Sequence, residues 1–185
     1  MYKLLIALLA LQILALTAGK DALADPTAQV IVSPDGALRA IIIPVDRNAG
    51  FIGSESRVEI RKSDRELLSA ASYASSDGEH GLGVMKGQWT PDSQFFVYNT
   101  SSSGGHQPYH SPTFFYSRRS NRIRNIEELT HSMVLDQSPF EIVAPHSVTV
   151  VCIAKYDGSL DGVMILANLE TGAVSTLSKT KYPAR

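Results

Sequence analysis

Three histidines, His80, His106 and His110, are the groups in this sequence best suited to metal chemistry. They lie in stretches rich in Gly, Ser and Pro, and Asp77 and Glu79 come just before the first of them. Imidazole and carboxylate groups together suit zinc, copper or nickel. A zinc or copper site is therefore one hypothesis. The other, which we favour, is that these are loop side chains without a cofactor, because the His106–His110 spacing is interrupted by Pro108.

Catalysis by these or other groups has less support. The single cysteine, Cys152, lies in the apolar run VTVVCIA, which predicts a buried thiol rather than a nucleophile. Asp77 and Glu79 could act as an acid/base pair, but solvated loop carboxylates are the simpler interpretation. No G-x-S-x-G, H-E-x-x-H or phosphate-loop motif occurs. We expect no enzymatic activity and keep a metal-dependent or hydrolytic enzyme, built on the histidine loops, as the alternative.

Binding is the favoured function, because aromatic side chains accompany the histidines. A tyrosine ring in a loop offers a large contact area at low entropic cost. The partner could be a protein, a glycan or a small ligand. The expected binding residues are His80, His106, His110, Tyr109, Tyr73, Asp77 and Glu79.

The charge pattern argues against nucleic acid as a partner. The whole chain has a formal net charge of −1, so it has no general attraction for a polyanion. Four arginines, in the stretch SRRSNRIR at 117–124, could bind an anionic group. The preferred interpretation is that they keep an outer strand from pairing with other strands.

An internal repeat predicts the elements that position these loops. Pro34, Pro91 and Pro145 recur at intervals of about 55 residues, each between two apolar runs. A second polar turn follows each of them, at Asp64, Asn121 and Gly172. These residue types tolerate the positive φ that tight hairpins need.

Each repeat therefore corresponds to two β-hairpins. The chain is predicted to be a single all-β domain over residues 25–185, with four-stranded antiparallel modules at about 28–70, 84–128 and 139–178. A propeller-like or partial propeller arrangement is expected, with a β-sandwich as the alternative. The segment 123–135 is predicted to begin as a strand and continue as a connection with a helical turn.

The turn sequences SPDGALRAI and TPDSQFFVY resemble the repeat of TolB-type β-propellers, which is centred on the sequence SPDG. The later stretch NLETGAVSTL is similar to the closing hairpin of the same blades. The resemblance implies blade-like modules. Three modules are fewer than a closed ring needs, and self-association of a structural subunit that completes a propeller is a second alternative function.

In such modules successive turns alternate between the two ends of each sheet. The tight turns share one end, and the long loops at 46–56, 71–83, 101–112 and 130–139 share the other. Long loops on a rigid scaffold are where binding groups concentrate. Residues expected in the core are Ile41, Ile43, Trp89, Phe96, Phe140, Val150 and Cys152.

The first 24 residues have the composition of a secretory signal peptide. Lys3 precedes an apolar run from Leu4 to Leu16, and Ala22-Leu23-Ala24 offers a cleavage site. The run is too short to span a membrane comfortably, and no later stretch is apolar enough to do so. We expect a secreted or periplasmic protein without a membrane span.

Overall fold

The described part of the chain forms three antiparallel sheets. The computed structural model describes residues 27–45, 54–104, 110–131, 133–134, 140–153 and 161–181. Four strands of each sheet pair in sequence order, the third sheet has an additional short strand, and we refer to the sheets as blades 1, 2 and 3. The prediction of an all-β chain with three four-stranded modules is confirmed, and the three sheets fit a partial propeller. The leader predicted over residues 1–24 lies outside the described residues.

The strands follow the apolar runs of the sequence. Blade 1 contains β1 (Gln29–Val32), β2 (Leu38–Pro44), β3 (Ser56–Lys62) and β4 (Leu67–Ser72). Blade 2 contains β5 (Leu82–Trp89), β6 (Phe95–Ser102), β7 (Thr113–Ser117) and β8 (Arg122–Asn125). Blade 3 contains β10 (Glu141–Ala144), β11 (Ser147–Ile153), β12 (Asp161–Asn168) and β13 (Val174–Lys181). A one-turn helix, α1 (Glu127–Thr130), and the short strand β9 (Met133–Val134) connect blades 2 and 3.

The first strand of blade 3 is divided into two pieces. Strands β9 and β10 both pair with β11, β9 at Cys152 and β10 at Thr149. Strand β12 pairs with β11 along its whole length, so β9 and β10 occupy the opposite edge. The prediction that the 123–135 segment starts as a strand and continues with a helical turn agrees with β8 and α1. In the described part of the chain, no helix is long and apolar enough to cross a membrane.

The β1–β2 turn shows why the repeat contains Ser-Pro-Asp-Gly. The Ser33 hydroxyl donates a hydrogen bond of 2.6 Å to Asp35 and accepts one of 2.9 Å from the Leu38 amide. Gly36 adopts a φ of +71°, which a glycine tolerates without strain. Short polar side chains that bond the local backbone are what this kind of turn requires.

The β5–β6 turn repeats this pattern with different residues. The Thr90 hydroxyl donates to Asp92 at 2.7 Å and accepts from the Phe95 amide at 3.0 Å. Ser93 takes the place of the glycine and has a φ of +62°. The β1–β2 and β5–β6 turns therefore have the same geometry, although only their Pro-Asp pair is identical.

The second hairpins differ from the prediction in one detail. Asn121 and Gly172 adopt positive φ angles of 56° and 75°, as expected. In blade 1 the positive φ, 80°, belongs to Arg65 and not to Asp64. The reason is that the Asp64 carboxylate accepts the Glu66 amide at 3.1 Å, which leaves the residue between them to reverse the chain.

Blade 2 is buried on both faces. Along β6, Phe96 and Tyr98 join a cluster with residues of blade 1, whereas Phe95 and Val97 join a cluster with residues of blade 3. Successive side chains of a strand point to opposite faces, so this one strand contributes to two cores. The three sheets are consequently stacked in the order blade 1, blade 2, blade 3.

Most of the predicted core is buried. Ile43 is only partly buried. The other predicted residues are at most 4% exposed: Ile41, Trp89, Phe96, Phe140, Val150 and Cys152.

Trp89, the only tryptophan, lies where blades 1 and 2 meet. Its indole Nε1 donates to the Ile31 carbonyl oxygen at 2.9 Å, which connects the first strands of the two blades. Its ring packs against Phe96 at a centroid distance of 5.2 Å.

The turns alternate between the two ends of the stack, as predicted from four antiparallel strands in sequence order. We call the end that holds the β1–β2, β5–β6 and β10–β11 turns the turn end. We call the opposite end, which holds the connection between blades 1 and 2 and the β6–β7 loop, the loop end.

Candidate functional site

A buried carboxylate organises the loop end. Glu55 is 4% exposed and lies just before β3. Its oxygens accept hydrogen bonds from the Ser75 amide at 2.7 Å, the Gly81 amide at 2.7 Å and the Ser103 hydroxyl at 3.1 Å. The Ser75 hydroxyl donates to the same carboxylate. One side chain therefore holds the blade 1–blade 2 connection against Ser103, the first residue after β6.

The carboxylate is held in its ionised form. Burial acts to raise the pKa of Glu55, but the hydrogen bonds from Ser75, Gly81 and Ser103 outweigh burial and lower the pKa overall. A buried carboxylate with several N–H and O–H donors is stabilised as the anion. Glu55 thus acts as a structural anchor for the loops.

The predicted residues Asp77 and His80 lie together on this anchored connection. His80 Nδ1 and Asp77 Oδ2 are joined by a hydrogen bond of 2.5 Å, and the two side chains are 60% and 50% exposed. Asp77 also accepts the Glu79 amide at 3.0 Å. This backbone bond, with bonds from Ser75 and His80, holds the pKa of Asp77 well below its usual range. The exposed Glu79 side chain lies beside this pair.

His110 belongs to a separate group. Its Nε2 lies 2.6 Å from Glu127 on α1, and the other Glu127 oxygen accepts the Asn125 side-chain amide at 2.9 Å. Among the described residues, no group of three or more His, Cys, Asp or Glu could hold a metal ion. His106 and Tyr109 lie outside the described residues, so the proposed metal-ligand set as a whole remains a prediction.

Tyr73 contributes to packing between blades. Its hydroxyl lies 2.7 Å from that of Tyr98, and its ring lies 4.8 Å from that of Phe114. Burial raises the pKa of Tyr73 to about 12. The sequence suggested a loop aromatic for contact with a partner, but much of this ring packs against the core between blades 1 and 2.

Cys152 is buried, as predicted, and its surroundings keep it protonated. The side chain is 3% exposed, and burial raises the pKa of the thiol to about 11. A thiol must ionise to act as a nucleophile, so this environment favours a packing role.

Gly81 has no space for a side chain. A Cβ there would collide with the Tyr73 carbonyl oxygen and with the Glu55 carboxylate. We expect Gly81→Ala to lower the free energy of unfolding by about 2 kcal/mol, because backbone and a buried anion must both move. Urea unfolding would measure this, with the exposed Ser76→Ala as control. Equal stability of the two variants would contradict the geometry.

Ionic contacts also join the blades at the turn end. Asp35 of blade 1 pairs with Arg118 of blade 2. Asp92, which occupies the same position in the second repeat, pairs with His146 of blade 3 at 2.6 Å, and His146 pairs with Glu170 at 2.7 Å. His146 directly follows Pro145 of the third repeat, a position that predicts a tight turn, but the sequence does not predict these partners. The aligned repeats offered one clue, because His146 replaces the turn aspartate.

The His146 contacts predict a pH dependence of stability. The hydrogen bond to Asp92 raises the pKa of His146 above its ordinary 6.5, and Glu170 adds to the effect. A raised pKa means that the stabilisation is complete below about pH 6.5 and is lost as pH rises through the higher folded value. Because the group is partly exposed, we expect a loss of no more than about 1 kcal/mol. Urea unfolding as a function of pH should show this loss in the wild type and not in His146→Gln; equal profiles would exclude it.

Known proteins resemble this chain in structure only, and at a distance. Neither a protein-family model nor a curated protein sequence matches the chain. Among solved structures, the chain is similar to the β-propeller domain of the trilobed protease from Pyrococcus furiosus, at 8% identity and TM-score 0.44, covering 85% of this chain and 43% of that one. It is also similar to the periplasmic gluconolactonase of Pseudomonas aeruginosa, at 15% identity and TM-score 0.44. This match covers 83% of the present chain and 39% of the gluconolactonase. A prolyl endopeptidase matches at 10% identity and TM-score 0.46, and the match covers 83% of the present chain and 20% of the endopeptidase.

The chain therefore spans less than half the length of these proteins. Membership of the TolB-type group remains a prediction from the turn sequences.

Proposed function

We propose that this chain is a binding module that recognises a partner with its loop end and catalyses no reaction. The observation that carries the proposal is the Glu55 network, in which a single buried anion holds the connection between blades 1 and 2 against Ser103, next to the end of β6. A loop that is already ordered loses less conformational entropy when a partner binds. Such a surface suits recognition.

The exposed pair of Asp77 and His80 is the centre of the proposed contact surface. Asp77 is held by its own loop backbone through the Glu79 and His80 amides, at 3.0 and 3.2 Å. The pair therefore presents a carboxylate and an imidazole in a fixed arrangement. Groups of this kind suit a polar partner, such as a glycan or a polar protein segment, because each can exchange hydrogen bonds with hydroxyl or amide groups.

Two side chains with reactive groups have structural roles: Glu55 is enclosed by loop donors, and Cys152 is a buried core side chain. Neither is available for hydrolysis, which is one reason for preferring binding. Export of the protein, predicted from the first 24 residues, is part of the proposal: the partner would be met outside the cytoplasm.

Screening of glycan and peptide libraries would test the proposal. We expect the wild type to select one or more ligands from these libraries. The double variant Asp77→Asn/His80→Gln should bind the same ligands at least about tenfold more weakly, because both polar contacts are altered. The matched control is Lys62→Gln/Glu66→Gln, which removes an exposed ion pair of 2.6 Å at the turn end. Ligands bound equally by all three proteins would refute recognition by the loop end.

A further inference from the structure

A cavity opens at the turn end, between blades 2 and 3. Its volume is about 420 Å³. Residues of the β7–β8 turn and of β8 form one side, and residues of the β10–β11 and β12–β13 turns form the other. This volume falls within the range of about 300–1,000 Å³ that is usual for small-molecule sites.

Three basic side chains and one acidic side chain line this cavity. Arg119 and Arg124 come from blade 2 and His146 from blade 3, whereas Glu170 is the one acidic lining residue. The hydrogen bond to Asp92 favours the charged form of His146 by raising its pKa. Each of the three also contacts a carboxylate, of Asp92, Glu128 or Glu170, so an anionic ligand must compete for a cation, and the 3.6 Å contact of Arg119 is the longest of these pairs.

Arg119 can reach a ligand without disturbing the fold. Its side chain is 85% exposed, and its only ion pair among the described residues is a long contact of 3.6 Å with Glu170. Arg124 is held more firmly, with its Nε 3.2 Å from Glu128 and its guanidinium over the Phe115 ring. One guanidinium is thus adjustable and the other is fixed in position.

Hydroxyl groups complete the polar lining. Ser117 and Ser120 line the cavity, and no hydrogen bond joins either hydroxyl to another residue in the described ranges. The cavity also has apolar surface, although its apolar residues Phe95, Phe115 and Leu169 are each at most 4% exposed. A ligand would meet this surface together with serine hydroxyls, guanidinium groups and the Glu170 carboxylate.

We infer that this cavity is a second binding site, which takes a small carboxylate that also bears hydroxyl groups. A carboxylate matches the planar fork of an arginine guanidinium and forms two parallel hydrogen bonds with it. Ligand hydroxyls match the serine hydroxyls as donors or acceptors and can donate to Glu170. An apolar acid would leave these groups without partners.

Three probes separate the parts of this inference. Tartrate has both carboxylates and hydroxyls, succinate has the carboxylates alone, and threitol has the hydroxyls alone. Titration of the full chain, followed by calorimetry and by NMR of the blade 2 and blade 3 turns, should show saturable binding of tartrate. Succinate and threitol should each bind at least about tenfold more weakly. No binding of tartrate, or equal binding of succinate, would overturn the inference.

A matched pair of variants locates the site. Arg119→Gln should weaken tartrate binding about tenfold, because a charge-assisted contact is lost. Arg122→Gln removes the same charge from an exposed position on β8 that does not line the cavity, and should leave binding unchanged. Equal weakening by both variants would show that tartrate responds only to overall charge. The Asp77→Asn/His80→Gln variant should bind tartrate as the wild type does. The proposal for the cavity and the proposal for the loop end can therefore be refuted independently of each other.

Discussion

Replacing Glu55 with alanine is expected to lower the free energy of unfolding by about 3 kcal/mol. The substitution leaves the Ser75 and Gly81 amides and the Ser103 hydroxyl without their acceptor. A buried donor that loses its partner costs about 1–3 kcal/mol, and water entering the vacated space recovers part of that cost. Because these donors belong to two loops, the loop end should lose its order before the blades separate.

Urea unfolding and amide hydrogen exchange would test this expectation together. Exchange should accelerate at Ser75, Gly81 and neighbouring amides, while the strands of blade 3 keep their protection. Glu55→Gln retains one acceptor oxygen and should be less damaging than the alanine variant. The exposed Glu66→Gln serves as the neutral control. A Glu55→Ala protein as stable as this control would show that the network does not hold the loops.

Removing the Phe96 ring should have an effect of similar or larger size. Phe96 is fully buried between blades 1 and 2, where it packs against Trp89 at 5.2 Å and Tyr98 at 5.6 Å. Phe96→Ala should lower the free energy of unfolding by about 3–5 kcal/mol, because it combines lost burial with a cavity.

The neighbouring Phe95 provides the control for location. It faces blade 3, so Phe95→Ala should also destabilise the protein but should loosen the other junction. Hydrogen exchange should rise first in blade 1 for the Phe96 variant and first in blade 3 for the Phe95 variant. The same exchange pattern in both variants would contradict the stacking of three blades with blade 2 in the middle.

The sequence contained most of the information about the fold. Pro34, Pro91 and Pro145 recur with apolar runs on both sides, and strand alternation and turn chemistry are local properties. For the same reason the one-turn helix after β8 was predictable. Arg65 shows the limit of such reasoning, because either Asp64 or its neighbour could take the positive φ, and the side-chain bond to Glu66 selects between them.

The candidate site was much less predictable. Glu55 receives donors that follow it by 20 to 48 positions, and no local pattern marks a carboxylate for such a role. Asp92 and His146 meet across 54 positions. Tyr73 looked like a loop aromatic because its neighbours are polar, but stacking of blades 1 and 2 brings it to Tyr98. Each of these contacts depends on how whole sheets pack.

The position of Trp89 makes the junction between blades 1 and 2 visible to fluorescence. It is the only tryptophan, and its indole is bound to the Ile31 carbonyl of the neighbouring blade. Its emission should therefore report the separation of blades 1 and 2 and be nearly insensitive to blade 3. Circular dichroism responds to all three sheets. Coincident unfolding curves from the two methods would mean that the three blades unfold as one cooperative unit. A circular dichroism change that precedes the fluorescence change would mean that blade 3 unfolds first.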